Sequence, residues 1–324
     1  MRAIVIHEDG GPEVLRYEDV PDPEPAAGEV LVRMRFASLN HLDLWTRKGL
    51  PSVPKPRILG ADGSGLVESL GPDVEGLEPG QPVVINPGLE HGATIHVIGE
   101  HTQGVHAELA AIPATNVVPL REGVSFEDAA AFPLVYETAY RMLVTRARLH
   151  AGEWVLVWGI GGGVATAAFR IAQALGARTI VTSSSGDKLA KAKVLGADVT
   201  LNHDSDDVVA AVKEAAGGAD VVVETVGEAT WKRSLDAARP GGRITVCGAT
   251  TGPNPPAALH RVWWKQLDIL GSTMGTRADF EGAYDLVAAG ATPVIDTVFP
   301  LAEARAAHER LEAGEQFGKI LLEV

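Results

Sequence analysis

Trp154-Val155-Leu156-Val157-Trp158, then Gly159-Ile160-Gly161-Gly162-Gly163-Val164-Ala165, then an alanine-rich run through Phe169, Ile171 and Leu175 to Gly176, then Thr179-Ile180-Val181-Thr182: the order of these pieces decides the fold. An apolar strand runs into a turn almost free of side chains, a helix begins there, and a second apolar strand follows. Such a turn sets several backbone N–H groups and the positive end of a helix beneath one anion, and pyrophosphate is the anion this geometry suits. The strict G-x-G-x-x-G spacing is not met, because Val164 stands where the third glycine belongs. The surroundings supply what the spacing lacks, since strand patterns recur at 199–201, 221–223 and 244–246 and complete a βαβ rhythm.

The rest of the chain differs in texture. Residues 1 to about 125 read as short alternating runs, at 2–7, 29–35 and 82–86, separated by Pro and Gly. From about Ser125 helices alternate with strands, with helices expected at 126–132, 187–195 and 206–216. Beyond Ile269-Leu270-Gly271 come an amphipathic helix at 280–289, a strand near Val298, a helix at 303–311 and a closing strand at 318–324. The fold class is therefore α/β: a β-rich part, residues 1–125, then a doubly wound parallel-sheet nucleotide-binding part, residues 126–272, then a closing tail, residues 273–324.

The chain has 324 residues and 46% hydrophobic content, enough for two domains with cores of their own. A net charge of −14 argues against nucleic acid and anionic membrane surfaces as partners, so a phosphate ligand must be held by local geometry. The longest uncharged run, 154–169, is too short and too rich in glycine to span a membrane. One cysteine, Cys247, excludes an internal disulfide and points to a reducing compartment. The N-terminus turns charged before a signal peptide could form, and a cytoplasmic location is expected.

With these pieces in hand, the sequence resembles the medium-chain dehydrogenase/reductase superfamily and, within it, the zinc-independent quinone oxidoreductase branch. The resemblance is carried by Gly11-Pro12-Glu13-Val14-Leu15, Asn40-His41-Leu42-Asp43, Gly60-Ala61-Asp62-Gly63-Ser64-Gly65, the glycine turn and Phe317-Gly318-Lys319-Ile320, in that order along the whole chain. It implies that residues 1–125 and 273–324 form one GroES-like catalytic domain, interrupted by a Rossmann domain at 126–272, with an active site in the cleft between them. The branch usually carries A-x-x-G-x-x-G in the turn; here Gly159, Gly162 and Ala165 stand at those places. Zinc-dependent alcohol dehydrogenase relatives hold their metal through a cysteine, a G-H-E segment and a second cysteine or carboxylate. Asn40 stands at the first of these places, Ala61-Asp62 at the second, and the region of Leu134 offers no thiol. One aspartate is not a zinc site, and no metal is expected. His91, His96, His101 and His106 are spaced by five, which matches neither the face of a helix nor the period of a strand, so scattered imidazoles on a solvated loop are expected.

An NAD-specific site places Asp or Glu at the end of the second strand. This chain has Ser183-Ser184-Ser185-Gly186-Asp187-Lys188 there. Hydroxyls of Ser183 and Ser184 and the charge of Lys188 suit a ribose phosphate, which makes NADP (as NADPH) the expected cofactor; the alternative is that the serines only terminate the strand. Asp187 reads as an N-cap or first-turn acid. Gly159, Gly161, Gly162, Gly163 and Val164 are the expected phosphate-facing residues. His41, placed to reach a cofactor phosphate, Gly248 and Lys319 complete the cofactor set.

The catalytic candidates are Asn40, Asp43 and Thr138. Asn40 takes the lost cysteine's place and can donate to an oxygen that gains charge. Asp43 can orient Asn40 or nearby backbone, and Thr138 resembles the family's threonine beside the nicotinamide. The bland reading of Asn40 and Asp43, that they cap the helical stretch 42–48, stays open. Trp45 stands where related reductases often have tyrosine and cannot serve as an acid. The expected activity is hydride transfer from NADPH to a quinone or other activated carbonyl or alkene; alcohol dehydrogenase-type activity and a catalytically silent NADPH-binding redox sensor are the alternatives. An apolar edge strand near 267–271 suggests a homodimer or a dimer of dimers.

Overall fold

A computed structural model describes residues 1–92 and 94–324, and the chain divides into two compact units, Met1–Leu134 with Val287–Val324 and Val135–Leu286. The helix Phe126–Ala131, expected at the head of the nucleotide domain, packs on strands Glu29–Ser38, Asp62–Leu70 and Lys319–Glu323 and so belongs to the first unit. Its alanines explain this: Ala130 and Ala131 are fully buried against Leu321, and small side chains let a helix lie close to a sheet. The helix Arg277–Ala288 falls almost wholly in the second unit.

The first unit is built on a seven-stranded sheet whose neighbours run Val117–Pro119, Pro82–Ile85, Asp62–Leu70, Glu29–Ser38, Lys319–Glu323 and Ile295–Pro300, with Leu109–Pro113 also paired to Glu29–Ser38. Its pairs are antiparallel except the last two strands, which run parallel. A three-stranded sheet, Arg16–Asp19, Arg2–Ile6 and Arg57–Ile58, closes over it. Ile4, Ile6, Val30, Val32, Leu59, Val83, Ile85, Ile112 and Leu322 fill one core between them. The register of the long central strands places Ser38 opposite both Asp62 and Leu321, so the ends of three strands separated widely in sequence meet.

The second unit is a six-stranded sheet with every pair parallel. Its spatial order is Val199–Asn202, Arg178–Ser183, Trp154–Val157, Ala219–Glu224, Ala238–Val246, Asp268–Gly271, the 3-2-1-4-5-6 order of the doubly wound dinucleotide fold. Val155, Leu156, Val157, Ile180, Val181, Val221, Val222, Val223 and Ile244 are all fully buried, as expected of strands covered by helices on both faces. Lys265 ends the helix Trp231–Ala237 by donating to the carbonyls of Leu235, Asp236 and Ala238 at 2.9, 2.9 and 2.7 Å, which satisfies a helix C-terminus with a cation. No helix among the described residues is long and apolar enough to cross a membrane.

The expected scatter of the four histidines is overturned. Strands Gly88–His91 and Thr94–Val97 form a hairpin with His91 opposite Thr94. His96 lies two residues along the partner strand from Thr94, on the same face, where diagonal cross-strand side chains meet. The His91 and His96 rings are 4.3 Å apart, and His96 and His101 stack at 4.2 Å with planes 9° apart. Val97 N–H donates to His101 Nδ1 at 3.0 Å and holds the third ring in place. His106 stands apart, fully buried in the first unit, 6.4 Å edge-on from His308.

Gly65 shows how tightly the sheet is drawn. The pairing of strand Glu29–Ser38 with Asp62–Leu70 shifts register between Met34 and Phe36, opposite Gly65 and Ser64. A Cβ at Gly65 would lie 2.1 Å from the Arg33 carbonyl oxygen, a backbone atom that cannot rotate away. Gly65→Ala is therefore expected to lower unfolding stability by roughly 1 to 3 kcal/mol through overpacking. Urea unfolding measures this directly, and an unshifted midpoint would mean that the bulge relaxes at no cost.

Candidate active site

In the second unit the glycine turn behaves as its sequence suggests. The helix Gly163–Ala174 starts from Gly162, which carries no side chain to cap it, so its first N–H groups are left for another acceptor. A Cβ at Gly162 would meet nothing nearer than the Gly159 oxygen at 3.7 Å, which leaves the cradle open. Gly159 and Gly161 have φ of +66° and +120°, conformations glycine adopts without strain. Thr182, on the second strand, pins the turn: its hydroxyl accepts from Gly159 N–H at 3.3 Å and its carbonyl from Ile160 N–H at 2.7 Å.

At the end of that strand Ser183 is buried and Ser184 exposed. Ser183 Oγ accepts from Ser185 N–H at 3.1 Å. Ser185 is the N-cap of helix Gly186–Val194, accepting from Lys188 N–H, and Asp187 is its first-turn acid. Each of these two hydroxyls accepts one backbone N–H and keeps its proton free to donate. Lys188 is half-buried in the first turn of the same helix. Thr138 is buried in the helix Pro133–Tyr140, and Gly248 follows strand Ala238–Val246, where an added Cβ would lie 3.1 Å from the Thr225 carbonyl. Burial pushes the Cys247 thiol up to about 12, with Glu224 adding to the effect, so Cys247 stays protonated and is no nucleophile.

In the first unit Asn40 precedes the helix His41–Arg47. Asp43 fixes its backbone: one carboxylate oxygen accepts from Asn40 N–H at 2.7 Å, the other from Gly60 N–H at 3.0 Å. Gly60 has φ of +97° and a Cβ there would strike the His106 ring at 2.2 Å, so only glycine brings this N–H to Asp43. Asp43 is thus the capping acid that the bland reading proposed. Burial raises its pKa, with the nearby His106 opposing. His106 donates to the Ser38 carbonyl at 3.4 Å, and burial lowers its pKa against the pull of Asp43.

The Asn40 side chain faces a different set. Its Nδ2 donates to Asp62 Oδ2 at 2.9 Å, and its Oδ1 accepts from the Lys319 ammonium at 2.6 Å. Lys319 also donates to Asp62 Oδ2 at 3.1 Å. Ser38 Oγ donates to the same carboxylate oxygen at 3.3 Å, and Leu134 N–H to the other at 2.9 Å. Asn40, Asp62 and Lys319 are 4%, 0% and 3% exposed, so this charge pair is shut away from water. Burial lowers the Lys319 pKa and Asp62 opposes the shift. His41, partly buried at the helix start, is lowered by burial and by the charge of Lys319, and its ring lies 6.3 Å from that of Trp45.

Sequence reasoning picked Asn40, Asp43 and Lys319 and missed Asp62, which accepts from the Asn40 side chain. Lys319 was expected among the cofactor contacts; its ammonium faces Asn40 and Asp62. Asp62 stood out only as a departure from a metal-binding motif. No local signal joins Lys319 to residues 279 and 257 positions away, and only the pairing of the three central strands does so.

Residues 26–122 match the sequence profile of the alcohol dehydrogenase GroES-like domain, and residues 163–289 that of the zinc-binding dehydrogenase family. A quinone oxidoreductase of Pseudomonas aeruginosa is 33% identical over 97% of this chain and 96% of that protein. An alcohol dehydrogenase of Geobacillus stearothermophilus is 33% identical over 100% of both chains. A crystal structure of an NAD-dependent alcohol dehydrogenase superimposes with a TM-score of 0.95 at 43% identity, again over 100% of each chain. With a GroES-like part, a parallel sheet in dinucleotide-binding order and similarity along its whole length, the chain belongs to the medium-chain dehydrogenase/reductase superfamily of nicotinamide-dinucleotide-binding oxidoreductases.

Proposed function

We propose that the protein is an NADPH-dependent reductase that passes hydride to a quinone or another activated carbonyl or alkene without zinc. The observation that carries this reading is the Lys319 ammonium bonded to Asn40 and Asp62, two places where the resemblance looks for metal ligands. Zinc needs three or four His, Cys or carboxylate ligands in tetrahedral reach. These residues offer one carboxylate and a neutral amide, both already engaged by a cation, so zinc does not fit them.

When bound, NADPH supplies the hydride. The chain's part is to hold it and to receive the charge that develops on the acceptor. Gly159, Gly161, Gly162, Gly163 and Val164 offer the open, uncapped helix start to the pyrophosphate. Ser183, Ser184 and Lys188 take the ribose phosphate, with His41 and Gly248 as further cofactor contacts and Thr138 beside the nicotinamide. Asn40 donates from Nδ2 to the acceptor oxygen, and Asp43 keeps its backbone in place. Trp45 has no acidic proton to give, so water completes the reduction. Residence in the cytoplasm suits a chain with one cysteine that burial keeps as a thiol.

The NAD-dependent alcohol dehydrogenase among the solved relatives supports a competing reading, alcohol oxidation with NAD. That chemistry asks for a Lewis acid or a base on the alcohol oxygen, and the residues around Asn40 supply a buried cation instead. Purified protein is expected to contain no stoichiometric zinc, to keep its activity after chelation, and to turn over quinones while leaving simple ketones untouched. About one tightly held zinc per chain would sink the reading; NADPH binding with no turnover of any acceptor would favour the silent sensor.

The end of the second strand generates a second expectation. NADPH should bind more tightly than NADH, with one charge-assisted contact contributing roughly 1.5 to 3 kcal/mol, and Ser183→Asp should flatten or reverse the preference. Titration of both nucleotides by fluorescence quenching tests it, and equal dissociation constants in the unaltered protein would count against NADPH.

We further propose a dimer or a multiple of it through the edge of the parallel sheet. Among the described residues strand Asp268–Gly271 pairs on one side alone, and Leu259, Trp263, Trp264 and Ile269 near it in the chain are 69%, 64%, 77% and 39% exposed. An open apolar edge of this kind is an aggregation hazard unless covered. Light scattering at micromolar concentration should give at least twice the 34.0 kDa chain mass, and a monomer would refute the assembly.

A further inference from the structure

We propose that Lys319 is a positioning residue for the reaction, acting through Asn40: its ammonium fixes and polarises the Asn40 amide so that one N–H is presented to the acceptor oxygen. This rests on Asn40 being the oxyanion donor and adds what makes a neutral amide serve in that role.

The amide can sit only one way round. Oδ1 meets an ammonium, which only donates, and Nδ2 meets a carboxylate, which only accepts. Exchanging the two would set NH2 against NH3⁺ and oxygen against oxygen. The backbone at Asn40 is fixed as well, by Asp43. Of the two Nδ2 protons Asp62 takes one, and the second has no acceptor among the described residues. Asp62 is itself held by four donors, Asn40, Lys319 and Ser38 on Oδ2 and the Leu134 N–H on Oδ1.

The charge matters beyond orientation. A short charge-assisted bond at Oδ1 draws electron density out of the amide and makes its N–H a stronger donor, and burial keeps water from damping the effect. A structural ion pair would need no amide between its partners. Here Asn40 bridges the two, bonded to both, while they also touch each other at 3.1 Å.

The charged and titratable groups facing Lys319 are Asp62 in contact, Asp43 and His41 on the adjoining helix, and His106. With burial holding the ammonium below the usual lysine range, deprotonation as pH rises should weaken the Asn40 donor and lower kcat on the alkaline side.

The test is a cycle of variants in the full-length protein with NADPH and a quinone. Lys319→Met alone leaves the buried Asp62 carboxylate unpaired and can unfold the protein, so Lys319→Met/Asp62→Asn, a neutral pair, is made beside it. Asn40→Ala is expected to lower kcat roughly ten- to a thousandfold. The neutral pair should lose kcat by roughly ten- to a hundredfold with the quinone KM and the NADPH dissociation constant nearly unchanged. Asn40→Ala added to the neutral pair should cost little more, because both changes remove one interaction. The alkaline fall in kcat should vanish in the neutral pair. If Asn40→Ala keeps its kcat, the underlying reading of Asn40 fails. If Asn40→Ala is slow while the neutral pair is as fast as the unaltered protein, or the two losses multiply, this inference alone is overturned.

Discussion

A lysine ammonium without water around it is the constraint on which the first unit depends. Moving one ion into a medium of low dielectric costs several kcal/mol even after relaxation, and a partner of opposite charge offsets this only with good geometry and every remaining polar atom engaged. Lys319 and Asp62 meet that condition through Asn40, Ser38 and the Leu134 N–H. The contributors come from the ends of separate elements: Ser38 closes one central strand with Asn40 two residues beyond it, Asp62 opens the next, Lys319 opens the strand on the other side, and Leu134 lies in the first turn of a helix. The ion pair therefore checks the register of the sheet. A slip of one residue in any of the three strands would turn a charge into the apolar core, at a cost the fold could not carry.

The second unit works by a different principle. The middles of its central strands are apolar; the glycine turn, Ser183 and Gly248, all expected to touch the cofactor, lie where strands end. The glycine turn follows Trp154–Val157, Ser183 closes Arg178–Ser183, and Gly248 comes just after Ala238–Val246. In a parallel sheet these ends share one edge, and the crevice there is where ligands bind. Glu224 shows how such an edge is kept in order. Its buried carboxylate accepts from Val226 and Gly227 N–H, from the Thr230 hydroxyl and from the Ser234 hydroxyl, which ties the loop after its strand to the helix that follows. A chain of net charge −14 can hold a polyanion this way, by aimed N–H and O–H groups rather than by excess positive charge.

What could be read from the sequence was what local chemistry determines. The glycine turn, the first-turn acid Asp187 and the closing strand each depend on residues a few positions apart. The division of labour between Asn40 and Asp43 was half legible: three residues' spacing gave the cap, but the partners of the Asn40 side chain lie across the sheet. The histidine hairpin failed for a related reason. A five-residue step was weighed against the period of one helix or one strand, and the stack of His91, His96 and His101 arises between two strands and the turn after them. Which sheet helix Phe126–Ala131 packs on was not legible, because its rhythm says helix and nothing in it says which strands its alanines will meet.

The chemistry of the Asn40 cluster bears on which acceptors can be reduced. A dication in contact with an oxygen stabilises a full alkoxide charge, which a simple ketone develops when hydride arrives. An amide N–H, even with an ammonium behind it, offers one polarised hydrogen bond and no coordination. The stabilisation it can give is that of a single oxyanion donor, roughly 2.7 to 4 kcal/mol in the best-placed cases. Acceptors that spread the incoming charge over a conjugated system ask for no more than this, because their reduced oxygen is only weakly basic before it meets a proton from water. On the proposed reading, a single amide donor backed by the ammonium limits the charge the site can support, and that limit matches the demand of a quinone or an activated alkene better than that of a ketone.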